Sequence, residues 1–160
     1  MVDKTPSLLL HLADADDTTR LGQWFAHRLR PGDCLLLEGP IGAGKSHFAR
    51  ALIQERLGRA EDVPSPSFTL VQTYQADVEI WHADLYRLSH PDEVLELGLD
   101  AAFDTAICLV EWPDRLGRLA PKTALHLTFA TKGEGRDLMV RLGARGDLQA
   151  VLTREFGRDA

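Results

Sequence analysis

The chain has 160 residues, of which 44% are apolar and 26% charged, with a formal net charge of −6. These values predict one domain, 1–160, with a sizeable core and the composition of a soluble globular protein. They exclude a membrane span, which needs a run of about 18 apolar residues. They also argue against a broad nucleic-acid surface, because phosphate backbones reward clustered Lys and Arg; a local basic patch stays open.

In chain order, Met1 to Ser7 lacks the apolar core of a signal peptide. Leu8 to Leu12 reads as a short edge strand. Asp16 and Asp17 are expected to cap a helix with Leu21, Trp24, Phe25 and Leu29 on one face, ended by Pro31-Gly32. Cys34 to Leu37 is a continuous apolar run, the mark of a buried parallel strand. Ala49, Leu52, Ile53 and Leu57 recur at helical spacing, and Gly58 stops that helix. Two prolines hold Val63 to Ser67 out of helix. Phe68 to Gln75 and Val78 to Ala83 form a hairpin. Ser89-His90-Pro91-Asp92 has capping-box spacing and opens a short helix that stops near Gly98. Ala106 to Val110 is a second buried run. Leu125, Leu127 and Phe129 alternate, as do Leu138, Val140 and Leu142, with Gly133 and Gly135 between them, a second hairpin. Leu148 to Phe156 returns to helical spacing. The expected fold is α/β: a P-loop NTPase-like mixed sheet with parallel strands at its centre, antiparallel hairpins toward one side, and flanking helices. Cys34 and Cys108 fall in buried strands at no zinc-binding spacing, so both read as reduced core residues of a cytoplasmic protein.

Between the first buried strand and its helix stands Gly39-Pro40-Ile41-Gly42-Ala43-Gly44-Lys45-Ser46, which reads G-x-x-x-x-G-K-[ST], the phosphate-binding P-loop. Its glycines let the backbone curl around phosphates, and the following helix offers unpartnered N–H groups to the anion. Gly42, Ala43, Gly44, Lys45, Ser46 and His47 are therefore the expected nucleotide-binding residues, His47 through its backbone N–H. Lys45 reaches the β- and γ-phosphates, and the Ser46 hydroxyl ligates Mg²⁺.

A second metal-directed carboxylate is expected at the end of a buried strand. Ile107-Cys108-Leu109-Val110-Glu111 supplies it, since a buried strand rarely ends in an acid for stability alone. Asp84 also follows a strand, and reads either as a hydrogen-bonding or water-positioning group or as a turn cap. Ser65, Ser67 and Thr69 lie where P-loop proteins place a γ-phosphate-sensing loop, or in a plain turn. Trp112 shields the site, docks a partner or packs. Arg87 reads as a surface salt bridge before a transition-state cation. None of the six histidines pairs with cysteine or acid at ligand spacing, so all read as structural.

Four blocks together carry a resemblance: the P-loop; Ser65-Pro66-Ser67-Phe68-Thr69-Leu70-Val71; His82-Ala83-Asp84-Leu85-Tyr86-Arg87-Leu88; and Leu109-Val110-Glu111-Trp112-Pro113. From about Asp14 to Arg136 the chain resembles the TsaE (YjeE) family of small bacterial ATPases. It departs from the usual pattern at Ser46 and Ser67, where the family has Thr and the hydroxyl is kept, and at Pro40, where Asp is common. The resemblance implies Mg²⁺-dependent ATP hydrolysis, weak alone and stimulated by TsaB and the transferase TsaD, in forming threonylcarbamoyladenosine beside the tRNA anticodon. By carry-over, Lys45 and Ser46 hold phosphate and metal, and Glu111 is the Walker-B-like acid. Asp84, Thr69 and Trp112 match positions important for activity. Ala15 and Thr18, within Asp14 to Thr18, and Gly135 with Arg136 match regions on the adenine side. tRNA would be reached through the protein partners. Two other classes stay open: a P-loop small-molecule kinase, and a nucleotide-gated binding protein with incidental hydrolysis.

Overall fold

Two continuous apolar runs set the centre of the molecule. In the computed structural model, which describes residues 7–66 and 68–157, Cys34–Glu38 forms β2 and Ile107–Glu111 forms β5. They pair in parallel, with Cys34 opposite Cys108 and Leu37 opposite Glu111. Burial on both faces explains why neither strand alternates. The remaining strands are β1 (Ser7–Leu12), β3 (Val71–Gln75), β4 (Glu79–Asp84), β6 (Leu125–Lys132) and β7 (Gly135–Arg141). The sheet order is β1-β7-β6-β2-β5-β4-β3. Strands β6, β2, β5 and β4 are mutually parallel. The antiparallel pairs lie at both edges, β1/β7/β6 on one and β3/β4 on the other. The expectation of hairpins on one side is thus corrected: β6 and β4 each join the parallel centre, from opposite sides.

Helices cover both faces. Alternate residues Leu35, Leu37, Leu109, Leu127 and Phe129 point toward α1 (Ala15–Ala26) and α2 (Lys45–Leu57), and form the larger core with Leu21, Phe25, Phe48 and Leu52. Phe25, Phe48 and Phe129 stack edge to face with centroids 5.9 and 5.8 Å apart, linking both helices to the sheet. Cys34, Leu36, Cys108 and Val110 point the other way, onto α3 (Glu93–Leu97), α4 (Leu99–Thr105) and a 3₁₀ segment, Pro113–Leu119. Burial pushes the Cys108 thiol up to about 12 and the Cys34 thiol well above its usual value, which makes both inert. Helix α5 (Gln149–Phe156) completes the chain, with Phe156 edge-on to Trp24. Among the described residues no helix is long and apolar enough to cross a membrane.

Several element boundaries differ from the sequence reading. Helix α1 is capped by Asp14, whose side chain accepts from Asp17 N–H at 3.0 Å, and Asp17 reaches back to Ala13 N–H at 2.9 Å. Asp16 and Asp17 therefore sit inside the first turn, where they favour the helix dipole. The helix ends at Ala26; Pro31-Gly32 only leads into β2. The capping reach at α3 is made by Glu93, which accepts from Ser89 and His90 N–H at 3.0 Å each. Helix α4 and the 3₁₀ segment were not foreseen. Strand β3 starts at Val71, because Leu70 takes a left-handed φ of 68° and its N–H bonds the Pro66 carbonyl.

Candidate nucleotide-binding site

The P-loop spans the carboxyl end of β2 and the start of α2, as the sequence order requires. All three glycines of the loop take positive φ, and two of them have a further reason to lack a side chain. Gly39 has φ 142°, and a Cβ there would lie 2.6 Å from the Phe129 carbonyl oxygen. Gly44, at φ 107°, is the N-cap of α2 and has no side chain over the helix mouth. Phe48 N–H makes the first i−4 bond, to the Gly44 carbonyl. The N–H groups ahead of it are the orphan donors of the helix start.

A cleft of about 590 Å³ opens there, at the carboxyl ends of the parallel strands. One wall is the P-loop with Gly42, Gly44, Lys45, Ser46 and His47. A second is the start of α1, with Asp14, Ala15 and Thr18. Glu134 comes from the β6–β7 turn and Arg136 from the start of β7, and Asp84, Glu111 and Trp112 come from the ends of β4 and β5. Of the residues expected on the adenine side, Ala15, Thr18 and Arg136 share one cleft. Gly135 lies outside the lining and supplies a close approach, since a Cβ would sit 2.5 Å from the Leu12 carbonyl. Ala43 is fully buried behind the loop. Ser65 lines the cleft, Ser67 lies outside the described residues, and Thr69 is exposed outside the lining, accepting from Gln72 at 3.1 Å.

The charged groups converge on the cleft floor. Lys45 is only 4% exposed. Its ammonium donates to the Gly39 carbonyl at 2.5 Å and sits 3.7 Å from the Trp112 ring centroid. Burial pulls this lysine below its usual pKa, against the opposing pull of Glu111 and Asp84. Ser46 Oγ lies 3.1 Å from Glu111 Oε1 and 3.3 Å from Oε2. Asp84 stands opposite Glu111 in register; both are buried, and Asp84 accepts from Tyr86 N–H at 3.1 Å. The hydroxyl and carboxylate suit a hard cation that takes oxygen ligands. Among the described residues no group of three or more His, Cys, Asp or Glu is arranged to hold a metal unaided.

One participant, His82, is not singled out by the sequence, and Arg136 and Arg87 make contacts that the sequence does not specify. His82 is buried, with Nε2 2.7 Å from Glu111 Oε2, a pairing that no short-range spacing in the sequence signals because the two lie 29 residues apart. Arg136 donates to the P-loop carbonyls of Ala43 and Gly42 at 3.0 and 3.1 Å. Arg87 lines the cleft with its guanidinium over the Phe68 ring, 4.7 Å away. The His47 ring bonds Thr19 Oγ1 at 2.7 Å, tying α2 to α1.

A strand, a G-x-x-x-x-G-K-S loop and a helix, set in a seven-stranded mixed sheet, define a P-loop α/β protein. The comparisons narrow that class. The family model for "Threonylcarbamoyl adenosine biosynthesis protein TsaE" matches residues 12–138, so the chain belongs to the TsaE family. Relatives bearing the name tRNA threonylcarbamoyladenosine biosynthesis protein TsaE include one from Rickettsia felis, 34% identical over 81% of this chain and 77% of its own. Another, from Bacillus subtilis, is 33% identical over 89% of each chain. The crystal structure of Bacillus subtilis YdiB superposes with a TM-score of 0.79 at 27% identity, covering 96% of this chain and 99% of that one. Proteins of this family take part in threonylcarbamoyladenosine biosynthesis on tRNA.

Proposed function

We propose that this protein is a Mg²⁺-dependent ATPase that supports threonylcarbamoyladenosine formation beside the tRNA anticodon, acting with TsaB and TsaD. The observation that carries the reading is the meeting of Lys45, Ser46 and Glu111 at the floor of one cleft, 3.1 Å separating the hydroxyl from the carboxylate. Lys45 and the N–H groups at the start of α2 bind the phosphates. Ser46 and Glu111 hold the metal, which supplies charge neutralisation at the terminal phosphates. Asp84, beside Glu111, orients the attacking water. Trp112 and Tyr86, whose rings lie 5.0 Å apart, keep bulk water from that end of the cleft. Ser65, Ser67 and Thr69 belong to the loop that relates nucleotide state to the partner. The adenine end is assigned to Ala15, Thr18, Gly135 and Arg136.

With a net charge of −6, the protein is proposed to reach tRNA through its partners. Its proposed compartment is the cytoplasm, where the free, buried thiols of Cys34 and Cys108 stay reduced. Reconstituted threonylcarbamoyl transfer to tRNA, with this protein added or omitted, tests the role; ATP turnover with and without TsaB and TsaD tests the engine. Phosphate transfer to a metabolite would favour a kinase instead. ATP turnover that never responds to the partners would favour a nucleotide-gated binder.

A further inference from the structure

Behind the cleft floor lies a histidine where the sheet calls for an apolar side chain. Ile80, His82 and Asp84 of β4 stand opposite Ile107, Leu109 and Glu111 of β5. Ile80, Ile107 and Leu109 all belong to the core beneath α1 and α2. His82 shares that face and is 1% exposed. An imidazole in such a row loses its hydration and needs a partner for each nitrogen. It has one: Nε2 lies 2.7 Å from Glu111 Oε2, while Nδ1 is buried with no hydrogen-bond partner among the described residues.

This asymmetry fixes the direction of the bond. A carboxylate only accepts, so the ring hydrogen belongs on Nε2 and Nδ1 is the bare nitrogen. A hydrogen on Nδ1 would be a buried N–H without a partner, the rarer and costlier arrangement. Glu111 is itself only 2% exposed, and a carboxylate that deep turns toward whatever donor is near. On the cleft side of the same group Ser46 Oγ sits 3.1 Å from Oε1, the nearer oxygen, and 3.3 Å from Oε2.

We propose that His82 is a positioning residue for Glu111: its Nε2–H holds Oε2 from within the core, so that Oε1 faces Ser46 and the divalent cation. The inference rests on the reading of Glu111 as the metal-directed acid. Outer partners of this kind typically set metal affinity by about 10–100-fold.

The test reads the Mg²⁺ concentration that half-maximally tightens ADP binding, measured by calorimetry on the whole protein, with thermal unfolding as the check on folding. His82→Leu is expected to raise that concentration about tenfold or more. His82→Gln, whose amide donates from nearly the same place, is expected to restore it to within about threefold, a rescue that packing alone does not predict. Nitrogen NMR of the unmodified protein is expected to find the ring hydrogen on Nε2. An unchanged Mg²⁺ requirement in folded His82→Leu overturns the proposal, and so does a ring with its hydrogen on Nδ1 and none on Nε2. Should His82→Leu fail to fold, the NMR result and His82→Gln decide: a Gln variant with a Mg²⁺ requirement raised tenfold overturns it too. Glu111→Gln separates the two readings. If it leaves the Mg²⁺ requirement untouched, the assignment of Glu111 falls and the inference with it. If it raises the requirement while His82→Leu does not, only the role of His82 falls.

Discussion

The Lys45 ammonium lies 3.7 Å from the centroid of the Trp112 ring, and Trp112 holds that position in a left-handed backbone conformation, φ 60° and ψ 53°. A bulky residue rarely adopts this conformation unless its surroundings impose it, at a cost of order 1–3 kcal/mol. Here the fully buried strand β5 precedes the residue and the buried Pro113 follows it, so the backbone turns sharply and delivers the indole to the P-loop lysine. The contact joins the end of β5 to the start of α2.

Two substitutions separate ring from backbone. Trp112→Gly is expected to be more stable than Trp112→Ala by about 1 kcal/mol, because glycine relieves the left-handed strain. Both variants are expected to keep ADP affinity within about tenfold, 1.4 kcal/mol, yet lose most partner-stimulated hydrolysis. Chemical denaturation and calorimetry give the first comparison, ATP turnover with TsaB and TsaD the second. An Ala variant as stable as the Gly variant removes the strain argument.

Lys45 is held below the ordinary lysine value of 10.5 chiefly by burial. The folded state therefore disfavours its charge. The sign follows: between the lowered folded value and 10.5 the unfolded chain binds more protons, so stability rises with pH across that window. Lys45→Met is expected to unfold at the same temperature or higher in the absence of nucleotide, and to lose this rise. Its affinity for a fluorescent ATP analogue is expected to drop at least about tenfold. Near-normal nucleotide binding by the folded variant would refute the assignment.

Asp84 and Glu111 sit opposite one another, and Glu111 lies within hydrogen-bond distance of Ser46. Glu111→Gln should therefore raise the Mg²⁺ required for turnover, and Asp84→Asn should reduce turnover with a smaller change in that requirement. A Mg²⁺ titration of both variants checks this. A shift in Asp84→Asn alone would reverse the two roles.

Arg136 clamps the P-loop through two of its carbonyls, those of Gly42 and Ala43, and also donates to the nearby carbonyls of Glu134 and Gly135. Its fork makes these bonds at once, which a lysine cannot do. Both Arg136→Met and Arg136→Lys are expected to speed amide exchange in residues 41–44 and to weaken ADP binding about tenfold. Unchanged exchange in either variant would show the loop to be self-supporting.

Away from the cleft, Arg56 donates to the Ala26 and Leu29 carbonyls at 2.7 and 2.8 Å, closing the end of α1, and forks onto Asp77. Arg56→Ala is expected to destabilise the fold by about 2–3 kcal/mol, since two buried carbonyls lose a charged donor. Asp77 is exposed, so Asp77→Ala should change little. Arg56 holds the Asp77 carboxyl below its usual range; any stabilisation from the pair is present above that range and fades as pH falls through the lowered value. Urea midpoints of the two variants, at neutral and acid pH, test both statements.

What the sequence determined by itself is local. The unbroken apolar runs of β2 and β5 declared burial on both faces, and the alternation in β6 and β7 declared a hairpin. The helical spacing of α2, its Gly58 stop, and Lys45 and Ser46 at its head follow from rules that act over a few residues. Glu111 stood out because an acid closing a buried strand is costly without a task. The start of α1 was misplaced by two residues because three aspartates compete for one cap. Helix α4 was missed because the glycine that ends α3 also begins it.

Only the tertiary structure decided which edges of the sheet the hairpins occupy, because strand order depends on packing between distant segments. It alone brought His82 to Glu111 and Arg136 to the P-loop, the latter from more than ninety residues away. It left Thr69 outside the lining of the cleft, since a left-handed Leu70 turns the chain away just before β3. Periodicity records which face of an element is buried; it carries no record of which remote polar group that face will meet. Such meetings arise from sheet register and loop geometry, and in this chain they complete the floor and walls of the cleft.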